Sequence, residues 1–189
     1  MMNMVSIDFF TVPTVKFQIL FVLVMLSHSR RRVVHFNVTA HPTDNWTAQQ
    51  IIEAFPWDTA PKYLLRDRDG IYGTIFRQRL ENIGIKEVMT APQSPWQNPF
   101  VERLIGSIRR DCLDHVIVLN ESHLSRILSS YFDYYHYDRT HYGLGKDTSF
   151  ERPVKPRPAV KPRTAKGVKV IELPRVGGLH HRYERKEAA

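Results

Sequence analysis

Cysteine is nearly absent. With a single thiol, Cys112, in 189 residues, no internal disulfide can form and packing alone must hold the fold. A lone cysteine fits a reducing compartment, and its helical spacing from Leu104 and Ile108 reads as a buried, inert position. Long apolar runs are also missing. The longest, Phe17 to Leu26, is ten residues broken by Gln18, against the roughly 20 needed to span a bilayer. No basic segment precedes it and no small-residue cleavage site comes after it, so it reads as a buried central strand, not a signal or anchor. A soluble, cytoplasmic protein with no membrane partner is the expectation. His136, His141, His180 and His181 have no cysteine beside them and no second ligand pair nearby, which argues against zinc. The chain also lacks a Gly-rich phosphate loop, a nucleophilic triad pattern and any internal repeat.

Acidic residues are outnumbered, 19 against 27 Lys and Arg, for a net charge of +8. The imbalance is local. Residues 151–189 hold 11 basic and 4 acidic residues, a net of +7, leaving 16 and 15 elsewhere, a net of +1. A near-neutral body with a basic tail points to a polyanion, most plausibly nucleic acid. With 42% apolar and 24% charged residues the body has the make-up of one globular domain.

Residues 4 to 39 read as three strands in an antiparallel meander. Val5, Ile7 and Phe9 alternate with Ser6, Asp8 and Phe10, and Thr11 to Thr14 reads as a turn before the long apolar run. Arg30, Arg31 and Arg32 guard a strand end, and Val34, Phe36 and Val38 mark one face of the third strand. Thr43 or Asp44 caps a helix from Asn45 to Phe55 with Ala48, Ile51, Ile52 and Phe55 as its apolar stripe. Lys62 to Arg66 is a short strand that delivers Asp67. Thr74 to Ile83 is helical, with Ile75, Phe76, Leu80 and Ile83 inward and Gly84 as its stop. Lys86 to Met89 is a further strand. A second long helix runs from Leu119 to about Tyr137. The proline-rich stretch from Arg152 to Arg163 excludes regular structure. Val168 to Leu173 forms a short strand, and Gly177-Gly178 breaks regular structure after it. Strands alternating with helices in this order predict an α/β fold, a mixed sheet with helices on its faces.

The helix after Gln93-Ser94-Pro95-Trp96-Gln97-Asn98 has two possible starts. A cap at Ser94 would bury Pro99 inside the helix at a cost of about 3 kcal/mol. A cap at Asn98 makes Pro99 the first helical residue, where proline is favoured. The second start is preferred. It puts Glu102 in the first turn, where the helix dipole favours an anion, with Gly106 and Arg109 on the same face.

Asp8 in an apolar strand and Asp67 at the end of another are costly charges unless something pairs with them, and Glu102 stands at a helix start. Gathered at one point they would repel, and hard divalent cations with oxygen ligands would relieve that repulsion. Asp69 competes with Asp67, because both point to one side of an extended segment. Asp67 comes directly after the apolar run and is preferred, with Asp69 as a turn residue beside Gly70.

The segments Asp8-Phe9-Phe10, Asp67-Arg68-Asp69 and Gln93 to Asn98 leading to Val101-Glu102-Arg103 resemble the integrase core (Asp-Asp-Glu) domain of bacterial insertion-sequence transposases, relatives of retroviral integrases. Similarity continues through Asp111-Cys112-Leu113-Asp114-His115 and Arg139-Thr140-His141, and more loosely at Gly177 to His181. The resemblance implies a ribonuclease H-like fold with a five-stranded mixed sheet over residues 1–150, then a basic, extended or partly disordered tail at 151–189. It implies that Asp8, Asp67 and Glu102 are the catalytic residues and hold two Mg²⁺ or Mn²⁺ ions, with Asp8 shared. It further implies DNA strand cleavage and strand transfer, the attacker being water or a DNA 3′-hydroxyl. Trp96, Gln97, Asn98, Arg103, Arg109 and Arg110 are candidate DNA contacts, although Trp96 can instead plug the core and the arginines can form a solvated face.

Element ends and target DNA are the implied partners, together with a homo-oligomer and a bacterial, nucleoid-associated setting. Many members of that family have glycine where Pro99 stands, and a helix-turn-helix region ahead of the core. Only seven residues precede Asp8, so the expectation is a core without its recognition domain, with a separately encoded helix-turn-helix partner. A non-catalytic DNA-binding or assembly remnant, and a nuclease acting on RNA–DNA hybrids, are the competing readings.

Overall fold

Five strands form one sheet: β1 (Met4–Pro13), β2 (Ile19–Ser27), β3 (Val33–Thr39), β4 (Tyr63–Arg66) and β5 (Lys86–Met89), in the spatial order β3-β2-β1-β4-β5. The computed structural model describes residues 3–153 and 168–187. β1–β2 and β2–β3 pair antiparallel, as the meander reading required, while β1–β4 and β4–β5 pair parallel. β1 therefore sits at the switch between the two kinds of ladder. It also runs further than its sequence suggests. Val12 and Pro13 stay in the ladder opposite Leu20 and Ile19, and the turn falls at Thr14 to Gln18, closed by Thr14 N–H on the Gln18 carbonyl at 2.8 Å. Pro13, the last paired residue, is tolerated because it sits at the end of the strand.

Helices α1 (Asp44–Ala54) and α2 (Thr74–Asn82) cover one face. There Val5 and Ile7 of β1, Leu23 and Met25 of β2, and Leu64 of β4 meet Ala48, Ile51 and Phe55 of α1 and Phe76 and Leu80 of α2. Burying each large apolar side chain contributes about 1.5–3 kcal/mol. The expected stripes were too wide: Ile52, Ile75 and Ile83 are partly exposed, at 36–39%. Only the inner part of each stripe reaches a sheet strand. Helix α3 (Pro99–Asp111) packs against β1 and β2, burying Val101, Leu104, Ile105 and Ile108. Cys112 is buried beside them, and burial first, then Asp111, pushes its thiol up to about 11, so it stays protonated and unreactive.

The capping reading resolves in an unexpected way. Thr43 caps α1, its hydroxyl accepting from Trp46 N–H at 3.1 Å. Asp44 instead reaches across to α2, where its two oxygens accept from Ile75 N–H at 2.9 Å and Phe76 N–H at 2.8 Å. Gly73 is required at that junction because a Cβ there would strike the Asp44 carboxylate. Asp44→Ala is expected to lower stability by about 1–2 kcal/mol, read as a fall in the urea midpoint, whereas the same change at a merely solvated acid would do nothing.

By contacts the chain divides into two units, Met1–Ser129 and Ser130–Ala189, the division falling inside helix α4 (Glu121–Tyr137). In the second unit β6 (Val168–Arg175) and β7 (His180–Glu187) form an antiparallel hairpin. The first strand runs two residues past its expected end at Leu173, and the second is one the sequence pattern does not announce. Gly177 and Gly178, with φ of 63° and 96°, are the hairpin's turn, not a terminus. β7 lacks apolar alternation, so it carries no strand signal. It is held instead by Asp138, whose buried carboxylate accepts from Arg175 Nε at 2.6 Å and an Arg182 guanidinium nitrogen at 3.1 Å. His180 stacks on Tyr134 at 4.2 Å and His141 is buried against Tyr135; each has a packing role. The expectations for residues 154–167, including most of the proline-rich stretch, lie outside the described residues.

Candidate functional site: an acidic cleft at the strand ends

Ser6 of β1 is level with Leu65 of β4 in the parallel ladder. Two residues further along each strand stand Asp8, in the middle of β1 just past its parallel pairing with β4, and Asp67, the residue after the carboxyl end of β4. Open α/β sheets bind ligands beyond the carboxyl ends of their parallel strands, which is where Asp67 stands on β4. Glu102 joins them from the first turn of α3. A cleft of about 250 Å³ is lined by Asp8, Asp67, Arg68, Asp69, Thr90 to Ser94, Asn98 and Glu102. A larger hollow of about 480 Å³ between α2 and β5 carries no comparable set of groups, and its Glu87 is already bound to Arg66.

Asp8 is the most perturbed acid in the cleft. Burial raises its carboxyl to about 7, opposed by the Phe9 N–H bond at 2.7 Å and reinforced by Glu102, Asp67 and Asp69. Asp67 accepts from Asp69 N–H at 3.1 Å, and Asp69 accepts from Ile71 N–H at 3.0 Å, so both acids are turn-braced and both face the cleft. Among the described residues no three His, Cys, Asp or Glu side chains are gathered into a ready-made metal cage. The donor set nevertheless suits a hard divalent cation: carboxylate oxygens around one cleft, one of them short of compensating positive charge.

The other site candidates separate. Trp96 is 70% exposed, which removes the core-plug reading. Gln97 staples its own loop, its side-chain oxygen accepting from Ala91 N–H at 2.7 Å. Asn98 is buried at the mouth of α3 and lines the cleft, but its side chain makes no capping bond. This corrects the expectation that Asn98 caps α3 through that side chain. Arg103 and Arg110 are exposed on α3. Arg109 is engaged within the fold, donating to the Thr11 carbonyl at 3.2 Å and lying 5.5 Å over the Phe10 ring. Arg31, read as a strand guard, covers the Phe100 ring at 4.5 Å.

Two residues under the acids escaped the sequence reading. Arg66 is 4% exposed and forms a floor: its Nε donates to Glu87 at 2.6 Å, a terminal nitrogen donates to the Asp67 carbonyl at 2.6 Å, and the guanidinium lies 5.0 Å over the Tyr72 ring. The Tyr72 hydroxyl is buried without a partner and held protonated by burial and by Asp8, Asp67 and Asp69. A basic residue closing a buried strand was the available signal for Arg66. Nothing in the local sequence marks Tyr72.

The mixed sheet, its strand order and its flanking helices are those of the ribonuclease H-like fold. The chain is similar in structure to a simian T-cell lymphotropic virus intasome chain, with a TM-score of 0.67 and 15% identity, covering 98% of this chain and 66% of that one. It is similar to the catalytic domain of Mos1 mariner transposase, with a TM-score of 0.60, 16% identity and 70% of each chain covered. The HTLV-2 integrase catalytic core in complex with magnesium, described as a trimeric form, gives a TM-score of 0.60 at 15% identity, covering 79% and 94% of the two chains. This chain thus spans about two thirds of the viral intasome chain. In sequence, residues 83–148 match the integrase core domain family, in agreement with the resemblance carried by the Gln93–Glu102 segment. No curated protein matches the chain.

Proposed function

We propose that the protein is the catalytic core of a DNA transposase or integrase, cutting and joining DNA strands with divalent cations held by Asp8, Asp67 and Glu102. One observation carries the reading: in a ribonuclease H-like fold, three acids distant in sequence line one cleft, Asp8 from the middle of β1, Asp67 from the end of β4 and Glu102 from the start of α3. A likeness to the magnesium-bound HTLV-2 core and to Mos1 transposase supports the same choice of cation. When bound, Mg²⁺ or Mn²⁺ would supply Lewis-acid stabilisation of an attacking and a leaving oxygen, a chemistry that commonly uses two ions. The protein's part is placement. The parallel ladder fixes Asp8 and Asp67 at one height, Arg66 grips the Asp67 backbone, and the α3 start presents Glu102. Asp69 is assigned to bracing the turn after Asp67. Trp96 projects into solvent on the loop beside the cleft, where its ring can stack on a base, and exposed Arg103 and Arg110 can meet phosphates. Gln97 and Arg109 act first within the fold. Element ends and target DNA are the substrates, and a second copy of the chain the expected partner, as with the dimeric and trimeric forms of the HTLV-2 core.

The test gives purified protein Mn²⁺ and either duplex DNA or an RNA–DNA hybrid. Cation-dependent nicking and joining of duplex DNA, lost in Asp8→Ala, is expected. Preferential cutting of the hybrid would move the reading to a ribonuclease. Identical behaviour of the wild-type and Asp8→Ala proteins would sink it, and salt-sensitive DNA binding alone would leave a DNA-binding module.

A further inference from the structure

Asn98 stands at the N-terminus of α3, 3% exposed, with neither side-chain Oδ1 nor Nδ2 hydrogen-bonded. Asparagine in this position ordinarily caps its helix by accepting an N–H from the first turn. Here it does not, although its backbone carbonyl accepts from Glu102 N–H at 3.3 Å and so lies one turn from that acid. A buried amide with no partner is destabilising, and this one lines the same cleft as Asp8, Asp67, Asp69 and Glu102. A group kept there at a cost to the empty fold points to a ligand that completes it. The surrounding carboxylates repel a free anion and favour a cation, and an asparagine carbonyl oxygen is a standard ligand for hard divalent ions.

We propose that Asn98 supplies a fourth protein oxygen to the divalent cation of the acidic cleft, with Oδ1 facing the ion. The amide nitrogen is then left to face an anionic group brought in with it. The inference rests on the reading of the cleft as a cation site, and it gives that site a neutral ligand beside the three carboxylates.

Mn²⁺ titration followed by calorimetry and by melting temperature tests it without any turnover. Asn98→Ala is expected to melt no lower than wild type without cation, since two unsatisfied atoms are removed, and to bind Mn²⁺ about tenfold more weakly. Asn98→Asp, which adds a charge to the acids, is expected to bind Mn²⁺ more tightly and to melt lower when cation-free. The opposite result, a higher cation-free melting temperature for Asn98→Asp with Mn²⁺ affinity unchanged, would make Asn98 a helix cap and overturn the proposal. Asp8→Asn separates the two levels. If wild type responds to Mn²⁺, Asp8→Asn does not, and both Asn98 variants behave as wild type, only the role of Asn98 fails. If wild type itself shows no response, the cation site fails with it.

Discussion

Asp8→Asn is expected to make the cation-free protein more stable at pH 8, by as much as about 4 kcal/mol, while destroying strand cleavage. Asp8 has an ordinary value of 3.8 and is raised to about 7 in the fold, first by burial and then by Glu102, Asp67 and Asp69. A carboxyl raised on folding holds its proton more tightly in the native state than in the unfolded one. Stability contributed this way is fully present below about pH 4 and is lost as pH climbs towards 7. Above that, the folded protein carries an ionised, desolvated acid among like charges. Asparagine keeps the shape, and its side-chain oxygen can still accept from Phe9 N–H as Asp8 does at 2.7 Å, but it carries no charge. Urea unfolding at pH 4 should therefore show the two proteins nearly equal, and at pH 8 the variant clearly ahead. Saturating Mn²⁺ should close the gap at pH 8 by stabilising wild type alone. A variant no more stable than wild type at pH 8 would mean that the Asp8 charge is already compensated within the fold and needs no cation to relieve it.

The second large effect is expected at Arg66. Its side chain is 4% exposed, pairs with Glu87 at 2.6 Å, and donates to the Asp67 carbonyl at the same distance. Arg66→Met leaves Glu87 without its partner and frees the segment that carries Asp67. Breaking a buried pair from one side costs about 3–5 kcal/mol, whereas replacing both partners by apolar groups is often near neutral. The single variant should lose that much in urea unfolding, and the double variant Arg66→Met with Glu87→Met should recover most of it. Strand cleavage should not return with stability, because the grip on Asp67 is still missing. Recovery of both would make Arg66 a purely structural residue.

Much of this was legible in the residues themselves. The alternation of Val5, Ile7 and Phe9, the short apolar approach to Asp67 and the Asn98-Pro99 helix start each obey a local rule, and β5 and α3 fall where those rules put them. The order of strands and helices implied a mixed sheet, but the parallel pairing of β1 with β4 is non-local and no local pattern names it. What escaped depends on contacts across the fold. Asp44 carries the local signature of a cap for α1, and only the approach of Gly73 turns it towards α2. Asn98 holds the cap position of α3 as its signature predicts, but its side chain makes no capping bond and the residue lines the cleft. Ile52 and Ile75 keep to the helical period but extend past the width of the sheet beneath them. β7 is polar on both faces and owes its place to Asp138, far from it in sequence. Arg66 and Tyr72 lie under the acids, and nothing short of the folded arrangement joins them to Asp8.

In the proposed mechanism three particular acids, not acidity in general, make the cleft a strand-transfer site. The most direct measurement is Mn²⁺-dependent nicking and joining of duplex DNA by four single variants, Asp8→Ala, Asp67→Ala, Glu102→Ala and Asp69→Ala, each first shown to be folded. The first three are expected to lose activity by a factor on the order of a thousand or more, while Asp69→Ala, which removes only a turn brace, stays within about tenfold of wild type. Activity that survives loss of Asp8 or Glu102, or that falls with Asp69 and not with Asp67, would contradict it.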